Sequence, residues 1–217
     1  FRQEDLNNGG QGAPLVPIFH KLISESLTKN NNLRLPINII NIGGISNITQ
    51  IISNDKTSNL NLKACDIGPG NCLIDEWVRK NSTKKIDKSG EIAKSGNIND
   101  LILNQSLENF SIDTYEKSLD TKDFDISFAK GLSLEDGCAT ITKFTAYLIA
   151  KGVEYLNNLP ISKNLVCGGG RKNNFLIETI NKYLDEKKIR LEKIDRYGLN
   201  GDFIESQAFG FLSIRSF

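Results

Sequence analysis

The 217-residue chain contains no methionine, one histidine and one tryptophan. With His20 the single imidazole, Ser-His-Asp and Cys-His catalysis would both have to pass through it, and no nucleophile-elbow pattern accompanies it. It follows the apolar run Leu15-Val16-Pro17-Ile18-Phe19 and is read as a residue on the surface of a helix. The four cysteines, Cys65, Cys72, Cys138 and Cys167, form no C-x-x-C pair, which argues against a zinc ribbon. A chain of this length needs no disulfide staples, so they are read as small buried apolar side chains in a reducing, cytoplasmic compartment. No apolar run approaches the roughly 20 residues that cross a bilayer, so no membrane span is expected. An excess of one charge is missing too. The 27 basic and 26 acidic residues leave a net charge of +1, too little to hold nucleic acid by neutralising phosphates. No G-x-x-x-x-G-K-[ST] run is present, which excludes a P-loop, and no G-x-G-x-x-G opens a helix after a strand, which argues against a dinucleotide fold. The missing methionine and the start at Phe1 are read as a piece of a longer or processed protein.

What is present is a pattern of alternating element types. Leu15, Ile18, Phe19, Leu22, Ile23 and Leu27 recur at helical spacing up to Asn30-Asn31-Asn32. Residues 37–42 and 45–52 are β-branched strands joined by Gly43-Gly44, a hairpin with a tight turn, and a third strand spans 60–66. A helix through Leu73, Ile74, Trp77 and Val78 follows, and another is expected around Ile98 to Leu107. Residues 111–128 read as irregular. A long helix carries Cys138, Ile141, Thr145, Leu148, Val153 and Leu156 on one face. The chain then runs through a short strand at 165–167, a helix capped by Asn173 or Asn174, a strand at 189–194 and a last helix capped by Asp202. Antiparallel hairpins followed by β-α-β-α predict a mixed sheet with helices on its faces.

Four glycine clusters mark strand ends and loops: Gly9-Gly10-Gln11-Gly12, Gly43-Gly44, Gly68-Pro69-Gly70 and Gly168-Gly169-Gly170. Without a Cβ, such a turn can line backbone N–H groups up on an anion, or let a flat base lie against the chain. Any one cluster alone reads as ordinary turn chemistry; all four together speak against turns alone but name no ligand. Asp5, just before the first cluster, has the chemistry of a general base or of a solvated loop charge. Asp66, at a strand end, could hold a metal-bound water or a sugar hydroxyl, or cap its turn.

Taken together, the strings become specific. Phe1-Arg2-x-x-Asp5 with Gly9-Gly10-Gln11-Gly12-Ala13-Pro14-Leu15-Val16-Pro17-x-Phe19-His20 resembles the anhydro-N-acetylmuramic acid kinases. So do Asn41-Ile42-Gly43-Gly44-Ile45-Ser46-Asn47, Asp66-x-Gly68-Pro69-Gly70-Asn71 with Asp75-x-Trp77, Val166-Cys167-Gly168-Gly169-Gly170-x-x-Asn173, and Asn200-Gly201-Asp202-x-x-Glu205-x-x-Ala208-Phe209. These motifs stand in family order and run from end to end of the chain.

The resemblance implies an actin/hexokinase-like α/β fold, of which this chain is essentially the C-terminal, ribonuclease-H-like lobe. Residues 1–33 would be the catalytic loop and helix from the end of the first lobe, and residues 34–217 the second lobe. It implies an ATP- and Mg²⁺-dependent kinase that opens 1,6-anhydro-N-acetylmuramic acid with water and phosphorylates its O6, in peptidoglycan recycling. Asp5 becomes the catalytic base. Arg2, Gly10, Gln11, Gly12, Asp66 and Asp120 are assigned to the sugar. Asn41, Gly43, Gly44, Asn47, Gly68, Gly70, Asn71, Gly168, Gly169, Gly170 and Asn173 are assigned to the nucleotide. No metal ligand is assigned, and a homodimer is expected.

Two departures qualify the match. No G-T-S-x-D-G-x-D loop of a first lobe is present, so the isolated chain is expected not to turn over. Thr121 and Lys122 stand where many members read Arg and Glu in a K-S-T-G-R-E-x-F segment, and Asp120 or Asp123 would supply a carboxylate there instead. The alternatives are a same-fold kinase for another sugar and a non-catalytic nucleotide- or sugar-binding lobe.

Overall fold

The computed structural model describes residue 7 and residues 16–53, 60–110, 115, 118–157 and 160–215. A five-stranded sheet is built from β1 (Ile37–Ile42), β2 (Ile45–Ser53), β3 (Leu60–Pro69), β4 (Lys163–Cys167) and β5 (Leu191–Lys193). Its order is β3-β2-β1-β4-β5. The first three strands form an antiparallel meander, and β4 and β5 run parallel to β1. This is the mixed sheet that the sequence pattern predicts, and it agrees with the ribonuclease-H-like lobe that the resemblance implies. The Gly43-Gly44 turn closes the β1–β2 hairpin with Ile42 opposite Ser46.

Seven helices pack on the sheet or extend from it among the described residues: α1 (Pro17–Asn31), α2 (Cys72–Asn81), α3 (Glu91–Ser95), α4 (Asp100–Asn109), α5 (Leu134–Leu156), α6 (Asn174–Leu184) and α7 (Ile204–Arg215). Helix α5 is capped by Ser133, whose Oγ accepts the Asp136 N–H at 3.1 Å. It is apolar on most of its circumference because it runs between the sheet and the outer helices. Trp77 of α2 fills the space over Gly137 of α5 and donates its indole N–H to the Leu134 carbonyl at 2.9 Å. The tryptophan of the Asp75-x-Trp77 motif is therefore a packing residue.

The sheet has a core on each face. On one, Ile40, Ile42, Ile48, Ile67 and Val166 meet Ile141, Phe144 and Ile149 of α5. On the other, Ile37, Ile39, Ile51 and Leu165 meet Ile23 and Leu27 of α1, with Ile194 and Ile204 from the end of the chain. Strand side chains alternate between faces, so a strand covered on both sides is buried at every residue, as β1 is, its two asparagines included.

Several expectations need correction. His20 is not on the surface: it is fully buried under α1, and its Nδ1 lies 2.8 Å from Thr49 Oγ1 on β2. Asp202 does not cap the last helix. Its carboxylate takes Arg171 at 2.7 Å and Lys172 at 2.5 Å, because a charged donor outbids a backbone amide. The third strand runs on to Pro69, past the expected end at Asp66, and the last strand shrinks to three residues at the sheet edge. The four cysteines are free as read, with Cys72 only partly buried.

Candidate functional site

Strand parity and register collect the motif residues at one edge of the sheet. Asn41 stands opposite Asn47, and Asn47 opposite Asp66. Cys167 stands beside Asn41 on the parallel partner. All four project from the face that α1 covers, the face of Ile37, Ile39 and Ile51. A polar row thus crosses β3, β2, β1 and β4 at the carboxyl ends of the parallel strands, where ligands bind in open α/β sheets. The bulge at Ser46/Asn47 keeps Asp66 in this row.

The row is short of partners. Asp66 is buried, and its Oδ2 accepts the Leu119 N–H at 2.8 Å. No cation pairs with it among the described residues. Burial pushes its carboxyl above the usual range, with the Leu119 amide partly opposing this. Asn47 Oδ1 is buried without any hydrogen-bond partner. Among the described residues Asn41 Oδ1 receives only the weak Cys167 thiol, at 3.8 Å.

Around the row stand three of the glycine clusters, in two physical roles. Gly70, Gly168 and Gly170 are packed. A Cβ on Gly70 would lie 2.2 Å from the Gly43 carbonyl oxygen, and one on Gly170 would lie 2.2 Å from Ile42 Cγ2. Gly168 sits at φ +80°, beside the Asn41 amide and the Ile42 carbonyl. Gly44 and Gly169 are open. Nothing lies within 4 Å of a Cβ on Gly44, and a Cβ on Gly169 would meet only Asn71 Nδ2, at 3.8 Å. The N–H groups of Gly70 and Asn71 donate to the Gly44 and Gly43 carbonyls, both at 2.8 Å. These bonds tie the hairpin turn to the start of α2. What Asn71 offers a ligand is its side-chain amide, which faces Gly169. Gly68, opposite Ser46, sits at φ +147° against Leu148.

Arg171 anchors the glycine run. It is buried, bonds both oxygens of Asp195 at 2.8 and 2.9 Å, reaches Asp202, and donates to the Gly168 carbonyl at 3.0 Å. These bonds hold the Asp202 carboxyl down to about 2 and Asp195 below the usual carboxylate range, while Arg171 itself is raised. Sequence reasoning missed this residue. The signal was a lone arginine directly after three glycines, with Asp195 and Asp202 far along the chain.

Asn173 is buried and caps α6, accepting the Leu176 N–H at 3.0 Å. Asp120 is exposed and caps a single turn at Thr121–Asp123, one residue beyond the amide that Asp66 holds. The structure therefore brings the altered 119–123 segment to Asp66. Asp5, Arg2, Gly10, Gln11 and Gly12 lie outside the described residues. Among the described residues no group of three or more His, Cys, Asp or Glu could hold a metal, and no helix is long and apolar enough to cross a membrane. A cavity of about 630 Å³ opens at the far end of the sheet, lined by Lys163, Lys187, Lys188 and Arg190. It shares no residue with the row, and the wrong strand ends border it.

The model of the anhydro-N-acetylmuramic acid kinase family matches residues 1–217. The anhydro-N-acetylmuramic acid kinase of Pelagibacter ubique is 49% identical over the whole chain, which covers 57% of that protein. That of Zymomonas mobilis is 38% identical over 99% of the chain, covering 55% of its length. The chain thus spans little more than half the length of these curated relatives. Among solved structures, gluconate kinase from Lactobacillus acidophilus aligns at a TM-score of 0.47 and 12% identity, over 83% of this chain and 40% of that one.

Proposed function

We propose, for a chain that belongs to the anhydro-N-acetylmuramic acid kinase family, that it forms the nucleotide-holding half of a sugar kinase acting on 1,6-anhydro-N-acetylmuramic acid. The observation that carries this reading is the row Asn41–Asn47–Asp66, flanked by the open glycines Gly44 and Gly169. The open glycines, with the Asn71 amide, fit the phosphates and nucleoside of ATP, whose negative charge the N-terminal end of α2 favours. Asp66 and Asn47, with unused acceptor capacity at the same edge, fit the hydroxyl-rich sugar beyond the last phosphate.

In this reading Asp5 takes a proton from a water that attacks C1 of the anhydrosugar. The C1–O6 bond breaks, O6 forms a bond to the γ-phosphorus, and ADP leaves. The product is N-acetylmuramic acid 6-phosphate. Splitting the work between a carboxylate base and an electrostatic cradle matches the needs of both steps. Mg²⁺ accompanying the nucleotide would spread charge on the phosphates, held mainly by phosphate oxygens and water. Residues 1–33 are proposed to link the row to a first lobe, and residues 34–217 to be the second lobe of a protein that works in the cytoplasm as a homodimer.

The test uses the full-length protein with Mg-ATP and the anhydrosugar in ¹⁸O-water, read by mass spectrometry. A 6-phosphate carrying ¹⁸O at C1 supports the reading. ATP binding without sugar phosphorylation overturns the substrate assignment and favours another sugar, with the Leu119–Lys122 segment as the cause. Absence of ATP binding favours a non-catalytic lobe.

A further inference from the structure

Helix α1 is held to the sheet in two ways. Ile23 and Leu27 press on Ile37, Ile39 and Ile51. The hydrophobic attraction behind this contact is itself not directional. The second way is directional. Among the described residues, His20 to Thr49 is the one side-chain hydrogen bond between α1 and the sheet, at 2.8 Å, and it is wholly buried.

The position of this bond matters. Thr49 lies two residues from Asn47 on β2 and on the same face, so the bond sits one step below the polar row. On the other side, the chain enters α1 at Val16–Pro17 directly from the segment that carries Asp5. The pair also comes at a cost. His20 Nε2 is buried with no partner, and burial drives the imidazole down to about 3, so it stays neutral. An apolar side chain would fill the same place without an orphaned polar atom.

We infer that His20 is a positioning residue: through Thr49 it sets the height of α1 on β2, and so the height at which Val16–Pro17 enter the helix on the face that carries the Asn41–Asn47–Asp66 row. The inference rests on the kinase reading above. It touches no reacting atom, and its effect is expected in turnover and not in nucleotide affinity.

The test uses the full-length protein with the anhydrosugar and Mg-ATP. His20→Leu removes the bond but keeps an apolar filler. Thr49→Val removes it from the other side and stands in if His20→Leu fails to fold. His20→Asn keeps a nitrogen near the Nδ1 position. The expected result is a loss in kcat of roughly tenfold or more for His20→Leu and for Thr49→Val, since small misplacements near the chemistry are costly. The double variant falls no further, and nucleotide Kd stays unchanged in all of them. His20→Asn restores most of the turnover. Full kcat in His20→Leu, or equal losses in His20→Asn and His20→Leu, would overturn the inference. A wild-type protein that leaves the anhydrosugar untouched overturns the kinase reading, and this inference with it; the wild-type control tells the two failures apart.

Discussion

The glycine run at 168–170 permits a sharp test, because its three members are sequence neighbours in different surroundings. In Gly170→Ala the new methyl would lie 2.2 Å from Ile42 Cγ2, and Ile42, the last residue of β1, is fully buried in the core against α5. Ordinary carbon contacts are about 3.5–4.0 Å. Overpacking of this kind costs about 1–3 kcal/mol, and the size of the overlap puts this site at the upper end. In Gly168→Ala, the backbone at φ +80° and ψ 172°, a region open essentially to glycine alone, adds strain of about 1–3 kcal/mol to contacts of 2.4 and 2.6 Å with Asn41 and Ile42. In Gly169→Ala, the nearest atom is Asn71 Nδ2 at 3.8 Å, an ordinary contact. Its stability should hold, or rise by about 0.4–1 kcal/mol through the unfolded chain. Urea unfolding of the full-length variants measures these differences, and titration with a nucleotide analogue measures binding. The expected pattern is a large loss of stability at positions 168 and 170, and at 169 a loss of nucleotide affinity alone. A Gly169→Ala variant that binds nucleotide as the wild type does would refute the division into packed and ligand-facing glycines. So would one as destabilised as Gly170→Ala.

Three further outcomes follow from the same geometry. Acid should unfold the protein through His20: its folded pKa of about 3 lies below the unfolded value of 6.5, so the unfolded chain binds a proton the folded one does not. Stability therefore falls as pH drops from 6.5 toward 3, by up to about 1.4 kcal/mol per unit, and His20→Asn should flatten that part of a urea-midpoint profile against pH; parallel profiles would count against it. Arg171→Ala should cost about 1–3 kcal/mol, since it removes the buried guanidinium's bonds and packing and frees the Gly168 carbonyl, while the half-exposed Asp195 and Asp202 return to water. An unchanged denaturation midpoint would show that the loop at 195–202 is held by other means. Asp66→Asn should leave stability equal or higher, because an amide still accepts the Leu119 N–H without a buried charge, while sugar phosphorylation drops about a hundredfold. Undiminished turnover would remove Asp66 from the site.

Much of this architecture could be read from the chain because its signals are local. A Gly-Gly turn between β-branched runs makes a hairpin wherever it falls, and the stripe of α5 needs nothing beyond its own period. The misreadings arose where a distant residue decides the outcome. His20 stands at the head of its own stripe, with Ile23 and Leu27 at i+3 and i+7, so the helix itself pointed inward. What concealed this was the absence of any visible partner, and Thr49 is supplied by the fold of the hairpin. Asp202 has the spacing of a cap, yet Arg171 outcompetes the amides. The packed and open glycines of 168–170 look alike in sequence because their neighbours come from β1 and from the start of α2.

The same logic separates the two buried carboxylates. Asp87 and Asp66 are both 6% exposed. Asp87 caps α3: its oxygens accept the Ile92 and Ala93 N–H groups at 2.8 and 3.1 Å, and Oδ2 also receives the Cys138 thiol. Its charge is met by two amides at a helix start, so the fold alone accounts for it. Among the described residues Asp66 has one amide on one oxygen and no cation, its carboxyl is pushed upward by burial, and Asn47 opposite it has a buried Oδ1 without a partner. A fold needing only stability would place an apolar residue there, as it does at Ile67 and Ile48 on the other face. The deficit of donors at Asp66 and Asn47 fits a ligand that brings its own hydroxyls. Side-chain type alone leaves Asp66 open between a metal-bound water, a sugar hydroxyl and a turn cap, and it is the count of hydrogen bonds that favours a ligand over the cap.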